Sequence, residues 1–179
     1  MLSEPLPSTL DVRKATARGV SIRGMLKPLD LQRFRELLAS DDGVIQAQLS
    51  FTRDEENRHI IDLAVTAEAV VTCQRCLEPL SVSLACDNTL AVVWTDDQAA
   101  MLPRHLDPLV VEGEACSLWD VVEEELILAL PPFSYHSTEE CQQILARFNA
   151  GQTPEVEPGP CDKPNPFNVL AQLKPGSKT

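Results

Sequence analysis

The sequence predicts an α+β fold built on an antiparallel β-sheet, open or curled toward a barrel, with two or three packed helices and a flexible C-terminal tail that ends in a short helix. Between Val44 and Trp94, apolar and polar residues alternate with a period of two, as they do in half-buried strands. Short polar turns separate these runs, which favours antiparallel pairing. On either side of this region, apolar residues recur at helical spacing.

The individual elements follow from local signals along the chain. Asp30 is expected to cap one helix, and Ser117 is expected to cap a second that Pro131 and Pro132 end. A third, more polar helix is expected to be capped by Thr138. The predicted elements are an edge strand at 20–25, a helix at 30–40, strands at 44–51 and 58–72, one or two strands between 80 and 94, a loop at 95–108, a short strand at 109–111, and helices at 117–130 and 138–149.

The chain is expected to contain one domain, because 179 residues suffice for a single core and are few for two. The predicted domain covers residues 1–150. A linker rich in Pro and Gly follows at 151–162, and 163–179 form a basic C-terminal segment. In that segment Asn165 and Pro166 suit the start of a short amphipathic helix, which either docks on the domain or binds a partner.

Charge is distributed unevenly over the chain, whose net charge is −12. Residues 1–36 and 163–179 each carry a net +3, and the stretch between them carries −18. Basic ends around an acidic middle allow local contact with RNA phosphates, or docking of a basic protein on the middle; a plainly solvated acidic face is the simplest alternative. The candidate RNA- or partner-binding residues are Arg13, Lys14, Arg18, Arg23, Lys163, Asn165, Pro166, Phe167, Leu170 and Lys174.

A cytoplasmic location is expected, since no apolar run approaches the ~20 residues of a membrane span and the N-terminus lacks a signal-peptide pattern. Six cysteines in a reducing compartment are then more consistent with thiols or metal ligands than with disulfides.

The strongest chemical motif is the CQRC turn formed by Cys73 and Cys76 between two predicted strands. Two cysteines at this spacing can direct both sulfurs to one tetrahedral zinc, and His136 and Cys141 are the best candidates for the remaining ligands, with Cys161 in reserve. The turn can equally hold inert thiols. A redox-active pair is the third interpretation, although that motif normally opens a helix and strand-like sequence follows here.

No catalytic constellation stands out in the sequence. The acidic run Glu123, Glu124 and Glu125 is interpreted as the exposed side of a helix, and His59 and His105 are interpreted as surface histidines. Cys86 and Cys116 are interpreted as small apolar residues. The chain is therefore predicted not to be an enzyme.

Several motifs in the same order point to one family. They are SIRGML and LQRF near the N-terminus, CQRCLEPL after a strand, EEELILALP, a His-x4-Cys loop and the terminal KPNPFNVLAQLK. Together they resemble the YceD family of large ribosomal RNA subunit accumulation proteins, and the terminal motif is the most specific of them. The resemblance spans nearly the whole chain.

The resemblance implies a non-enzymatic accessory factor in large-subunit biogenesis that supports accumulation of the large-subunit rRNA. The expected partner is that rRNA, a pre-ribosomal particle or a basic ribosomal protein, with no membrane and no small-molecule substrate. Two alternatives stay open: an acidic adaptor or chaperone for a basic ribosomal protein, and a zinc- or thiol-dependent RNA-processing enzyme. The cofactor that the CQRC motif allows is one structural zinc.

Overall fold

Seven strands and five α-helices make up the computed structural model, which describes residues 4–149. Residues as far as Cys141 cluster as one compact unit. The predicted linker at 151–162 and C-terminal helix lie outside the described residues. The elements are β1 (Thr9–Asp11), α1 (Val12–Arg18), β2 (Ser21–Leu26), α2 (Gln32–Arg35), β3 (Gly43–Arg53), β4 (His59–Thr72), β5 (Pro79–Val93), α3 (Asp96–Ala100), β6 (Asp107–Val110), β7 (Ala115–Ser117), α4 (Leu118–Ala129) and α5 (Thr138–Asn149).

The main sheet has five strands in the order β2-β3-β4-β5-β6. Strands β2 to β5 form an antiparallel meander, and β6 pairs in parallel with β5. The predicted α+β class with a mostly antiparallel sheet is confirmed. The sheet is open and not closed into a barrel. A second, two-stranded sheet joins β1 to β7.

The core lies on one face of the main sheet, where α1, α2 and α4 cover alternate strand residues. From β3, Ile45, Leu49 and Phe51 are fully buried, as the period-two pattern predicts. Strand β5 runs for 15 residues without a break. The one or two strands predicted between 80 and 94 are therefore a single strand. The helix residues buried most deeply against this face are Phe34, Leu118, Val122 and Leu126.

The helix expected at 30–40 is largely replaced by turns. A 3-10 turn covers Pro28–Asp30, and the Asp30 carboxylate accepts a hydrogen bond from the Lys27 amide at 2.8 Å. Only the four residues of α2 follow as α-helix. The Ala39 amide then donates to the Val70 carbonyl at 2.7 Å. This bond ties Ala39 to β4, whereas in a continued α-helix its amide would bond the carbonyl four residues earlier.

Two short helices were not predicted. Helix α1 begins after Asp11, whose carboxylate accepts from the Lys14 amide at 3.0 Å, and ends at Gly19 in the left-handed conformation. Helix α3 lies in the stretch predicted as loop and is capped by Thr95. With seven and five residues, both are too short to show a helical period.

The acidic run in α4 is mostly buried, so its interpretation as an exposed face is wrong. Glu123 is 5% exposed and Glu125 is 9% exposed, while Glu124 faces solvent. One Glu123 oxygen accepts from the amides of Arg33 at 2.7 Å and Phe34 at 3.2 Å, and the other accepts from Arg33 Nε at 2.8 Å. Glu125 accepts from the Asn88 amide group at 3.0 Å. These hydrogen bonds let carboxylates sit against the core.

No helix in the described range combines the length and apolar composition of a membrane span.

Candidate metal centre

The CQRC turn connects β4 to β5 and is closed by its own backbone. The Cys73 amide donates to the Glu78 carbonyl and the Leu77 amide donates to the Cys73 carbonyl, both at 2.9 Å. Leu77 closes the turn in the left-handed conformation, with φ of 63°. Cys73 and Cys76 are both buried, at 0% and 5% exposed.

The other two candidate ligands arrive from the segment that follows α4. Its Ser134 carbonyl accepts from the Gln74 amide at 3.0 Å, which ties the segment to the turn. Helix α5 then begins at Thr138, but its cap is Ser137 and not Thr138 as predicted. Ser137 and Glu140 form a reciprocal capping box, in which the Ser137 hydroxyl accepts from the Glu140 amide and the Glu140 carboxylate accepts from the Ser137 amide.

The four donors form a closed group. The sulfurs of Cys73, Cys76 and Cys141 and a ring nitrogen of His136 all lie within 4.8 Å of one another. Cys73 Sγ is 3.6 Å from Cys141 Sγ, and Cys76 Sγ is 3.3 Å from His136 Nδ1. A tetrahedral zinc with ordinary bond lengths requires about 3.8 Å between two sulfurs and about 3.5 Å between sulfur and nitrogen. The donor set therefore fits one tetrahedral ion.

The surroundings of His136 also suit metal binding. Its Nε2 lies 3.1 Å from the Pro79 carbonyl, so a proton on Nε2 would bond there and leave Nδ1 free as a ligand. Metal-bound histidines usually have such a partner on the second nitrogen.

Hydrogen bonds to sulfur set the ionisation of Cys73. Burial opposes the thiolate, but amides of Cys76, Arg75 and His136 and the Cys76 thiol point at the sulfur and lower the pKa of Cys73 to about 5. Burial, with hydrogen bonds to Cys73 and Cys76, raises the pKa of Cys141 to about 11. The thiolate form of Cys73 is thus favoured, and a bound cation would favour ionisation of its cysteine ligands.

The remaining cysteines in the described range lie elsewhere. Burial raises the pKa of Cys116 to about 11 and also raises the pKa of Cys86, which agrees with their interpretation as small apolar residues. Cys161 lies outside the described residues.

Comparison with known proteins shows to which family this chain is related. A family model described as large ribosomal RNA subunit accumulation protein YceD matches residues 61–174. A Haemophilus influenzae protein named large ribosomal RNA subunit accumulation protein YceD is 35% identical over 170 residues, which cover 94% of this chain and 96% of the relative. This chain belongs to the YceD family. The resemblance inferred from its motifs is confirmed, whereas no solved structure gives a significant match.

The match to the YceD model includes all four candidate ligands and also KPNPFNVLAQLK. The predicted partner-binding residues of that last motif, which are Lys163, Asn165, Pro166, Phe167, Leu170 and Lys174, lie outside the described residues.

The predicted basic residues of this YceD-family chain differ in their surroundings. Lys14 pairs with Asp11 at 2.7 Å, and Arg13 stacks over the Trp94 ring at 4.3 Å. Arg18 at the end of α1 and Arg23 on β2 are exposed and have no ion-pair partner in the range that the structure covers. Two further arginines of the basic N-terminal block are neutralised, Arg33 by Glu123 and Glu124 and Arg35 by Asp41.

His59 is half-buried, which corrects its interpretation as a surface histidine. Its Nδ1 lies 2.6 Å from the Thr16 hydroxyl, and its ring meets Trp94 edge-on at 5.1 Å. Burial, together with the charges of Arg53 and Arg13, lowers the pKa of His59.

No sequence signal identifies the residues that support the metal centre. The Pro79 and Ser134 contacts use backbone carbonyls, which any residue type could provide. Arg75 lies over the Tyr135 ring at 5.1 Å, and this pair joins residues 60 positions apart that no short motif connects.

Proposed function

We propose that this chain is an accessory factor that supports accumulation of the large-subunit rRNA and acts by binding, not by catalysis. The observation that carries the proposal is the 35% identity along 94% of the chain to a protein named for that accumulation. Identity over nearly the full length of both proteins makes a shared role more probable than a shared module. A role on ribosome precursors would place the protein in the cytoplasm.

In this proposal the metal centre has a structural role. Cys73, Cys76, Cys141 and His136 would hold one zinc and thereby fix the β4–β5 turn to the start of α5. Catalytic zinc sites keep one coordination position for water or substrate, and here four protein donors already satisfy a tetrahedron. This favours the binding role over the zinc-dependent enzyme alternative.

We further propose that the basic N-terminal residues contact rRNA phosphates. Arg18 and Arg23 support this, because both are exposed and carry charge that no described carboxylate neutralises. Arg13 stacks its guanidinium on the Trp94 ring. Lys14 and the basic residues of 163–179 complete the proposed contact set. The acidic remainder of the chain would limit indiscriminate binding to RNA.

Co-sedimentation with large-subunit precursors at increasing salt tests this mode of binding. The wild-type protein should sediment with precursors at low salt and dissociate steeply as salt rises, because each phosphate contact adds roughly 0.7–0.9 to the slope of log K against log salt. The triple change Arg13→Ala, Arg18→Ala and Arg23→Ala should lower that slope by about 2.

Arg35→Ala is the matched control. Because Arg35 is already paired with Asp41, this substitution should leave the salt slope unchanged. Binding that is insensitive to salt, or that the triple change does not affect, would favour the adaptor alternative, in which the acidic domain holds a basic ribosomal protein without touching RNA. Failure to sediment with precursors at any salt concentration would contradict both binding modes.

A further inference from the structure

Leu77 combines two unfavourable features at the end of the CQRC turn. Its backbone is left-handed, with φ of 63°, a conformation that glycine adopts readily and branched residues rarely do. The residue is also 75% exposed, so packing against the described residues compensates little. Backbone strain of this kind typically persists where a site uses it.

Aromatic side chains are exposed around the same turn. The chain has only five Phe, two Trp and one Tyr. Even so, Phe133 is 68% exposed and Tyr135, the single tyrosine, is 48% exposed. Both flank Ser134, whose carbonyl is bonded to Gln74 in the turn. We call Leu77, Phe133 and Tyr135 the turn platform.

Arg75 holds part of this platform in place. Its guanidinium lies over the Tyr135 ring, and its Nη1 is 3.4 Å from the Thr138 hydroxyl. Tyr, Phe and Arg are the side chains enriched at protein–protein interfaces. Since the platform residues belong to the segments that carry the four metal donors, the surface is arranged before any partner arrives, which lowers the entropic cost of binding.

The charges beside the platform indicate which partner it fits. Glu78 follows Leu77 directly, and Glu139 follows Thr138; neither carboxylate has an ion-pair partner in the described part of the chain. Glu140 is close by and is engaged in the α5 capping box. Arg75 is the single arginine or lysine of the turn and of the 133–141 segment. Three carboxylates against one arginine would repel the phosphates of RNA and attract lysine and arginine.

We propose that the turn platform docks a basic protein segment that carries a large apolar side chain. The apolar side chain packs on Leu77, Phe133 and Tyr135, and flanking lysines or arginines meet Glu78 and Glu139. The proposal deepens the proposed function and rests on it for the setting, because ribosome precursors combine RNA with basic proteins. In this scheme the turn platform contacts protein, and the arginines of α1 and β2 contact RNA.

Leu77→Gly separates docking from folding. Glycine relieves the left-handed backbone and removes the exposed side chain, so the melting temperature should stay within about 2 °C of wild type or rise. Binding to the total protein of purified large ribosomal subunits, freed of RNA and immobilised, should weaken at least about tenfold. Met101→Ala is the control, because Met101 is 84% exposed and lies after α3, away from the turn in sequence; its binding should match wild type.

A photo-crosslinking side chain placed at position 77 identifies what docks there. Incubated with RNA-free large-subunit protein and, separately, with purified large-subunit rRNA, it should crosslink to a basic protein and not to rRNA. Unchanged binding by Leu77→Gly, no binding by the wild-type protein, or a crosslink to rRNA alone would each overturn the proposal. These binding and crosslinking assays are carried out in vitro, so their failure is distinguishable from failure of the proposed function, which the large-subunit rRNA level in cells tests.

Discussion

Protein purified without chelator is expected to contain about one zinc per chain, and this zinc should be absent when Cys73 and Cys76 are both changed to Ser. The reason is the donor geometry, in which four ligand atoms lie within 4.8 Å of one another and two of the separations, 3.6 Å and 3.3 Å, are close to the edges of a zinc tetrahedron. Elemental analysis of both proteins measures the result. Cys86→Ser is the matched control, because Cys86 lies outside the donor group and should leave the zinc content unchanged.

Removal of the zinc should also destabilise the fold, since the free energy of metal binding to a structural site is partly free energy of folding. Chelation is expected to lower the melting temperature by at least about 10 °C, and readdition of zinc should restore it. A zinc content below about a tenth of an equivalent in wild-type protein would contradict the metal centre and leave the turn as a group of inert thiols.

The pH dependence of zinc retention follows from Cys73. Because the folded protein holds the pKa of Cys73 at about 5, below the ordinary value of 9.0, the stability that the thiolate confers is complete above about pH 9. It declines as the pH falls from there and is gone below about pH 5. Protons then compete with zinc for the sulfur. Zinc should therefore be retained at pH 7 and lost progressively in acid, which elemental analysis after dialysis at each pH measures.

The second large effect is expected for Glu123→Ala. The carboxylate of Glu123 is nearly inaccessible and accepts three hydrogen bonds from Arg33 and Phe34. Its loss leaves the buried Phe34 amide without that partner. The free energy of unfolding should fall by about 2–3 kcal/mol, less than for a fully buried pair because the Arg33 side chain is 55% exposed. Urea denaturation monitored by circular dichroism measures the change.

Glu124→Ala provides the comparison for this second prediction. Glu124 bonds the same arginine at 2.9 Å, but both side chains are more than half exposed, so its loss should cost less than about 0.5 kcal/mol. Hydrogen bonds from Arg33 and Phe34 outweigh burial and lower the pKa of Glu123. The stability that Glu123 confers is thus present above pH 4.5 and should be lost as the pH falls further, in wild type and not in Glu123→Ala. Equal effects of the two substitutions would contradict this account.

Glu123 also illustrates what the sequence could and could not predict. Long strands such as β4 show many repeats of the period-two pattern, and β3, β4 and α4 were placed within one or two residues. A run of three glutamates indicates an exposed face by composition alone. The hydrogen bonds that allow burial come from residues about 90 positions earlier in the chain, and no local pattern contains them. The parallel pairing of β6 with β5 likewise depends on tertiary contacts that no local sequence pattern shows.

The candidate metal centre was more predictable than the acidic run, because cysteine and histidine at short spacings restrict the alternatives. The two-residue gap in CQRC and the four-residue gap between His136 and Cys141 each suffice to place a pair of donors. The two pairs of donors come together because of the path of α4 and of the segment that follows it, which the spacings do not predict. The left-handed conformation of Leu77 was not predictable either, since leucine seldom adopts it.

The central claim, that this chain supports accumulation of the large-subunit rRNA, is tested most directly by the ratio of large-subunit to small-subunit rRNA in cells that lack it. Removal of the gene should lower that ratio, and expression of the wild-type protein from a plasmid should restore it. The variant with Ser at positions 73 and 76 should restore it less well, at matched protein levels. A ratio that is the same with and without the protein, under conditions of rapid growth, would contradict the claim.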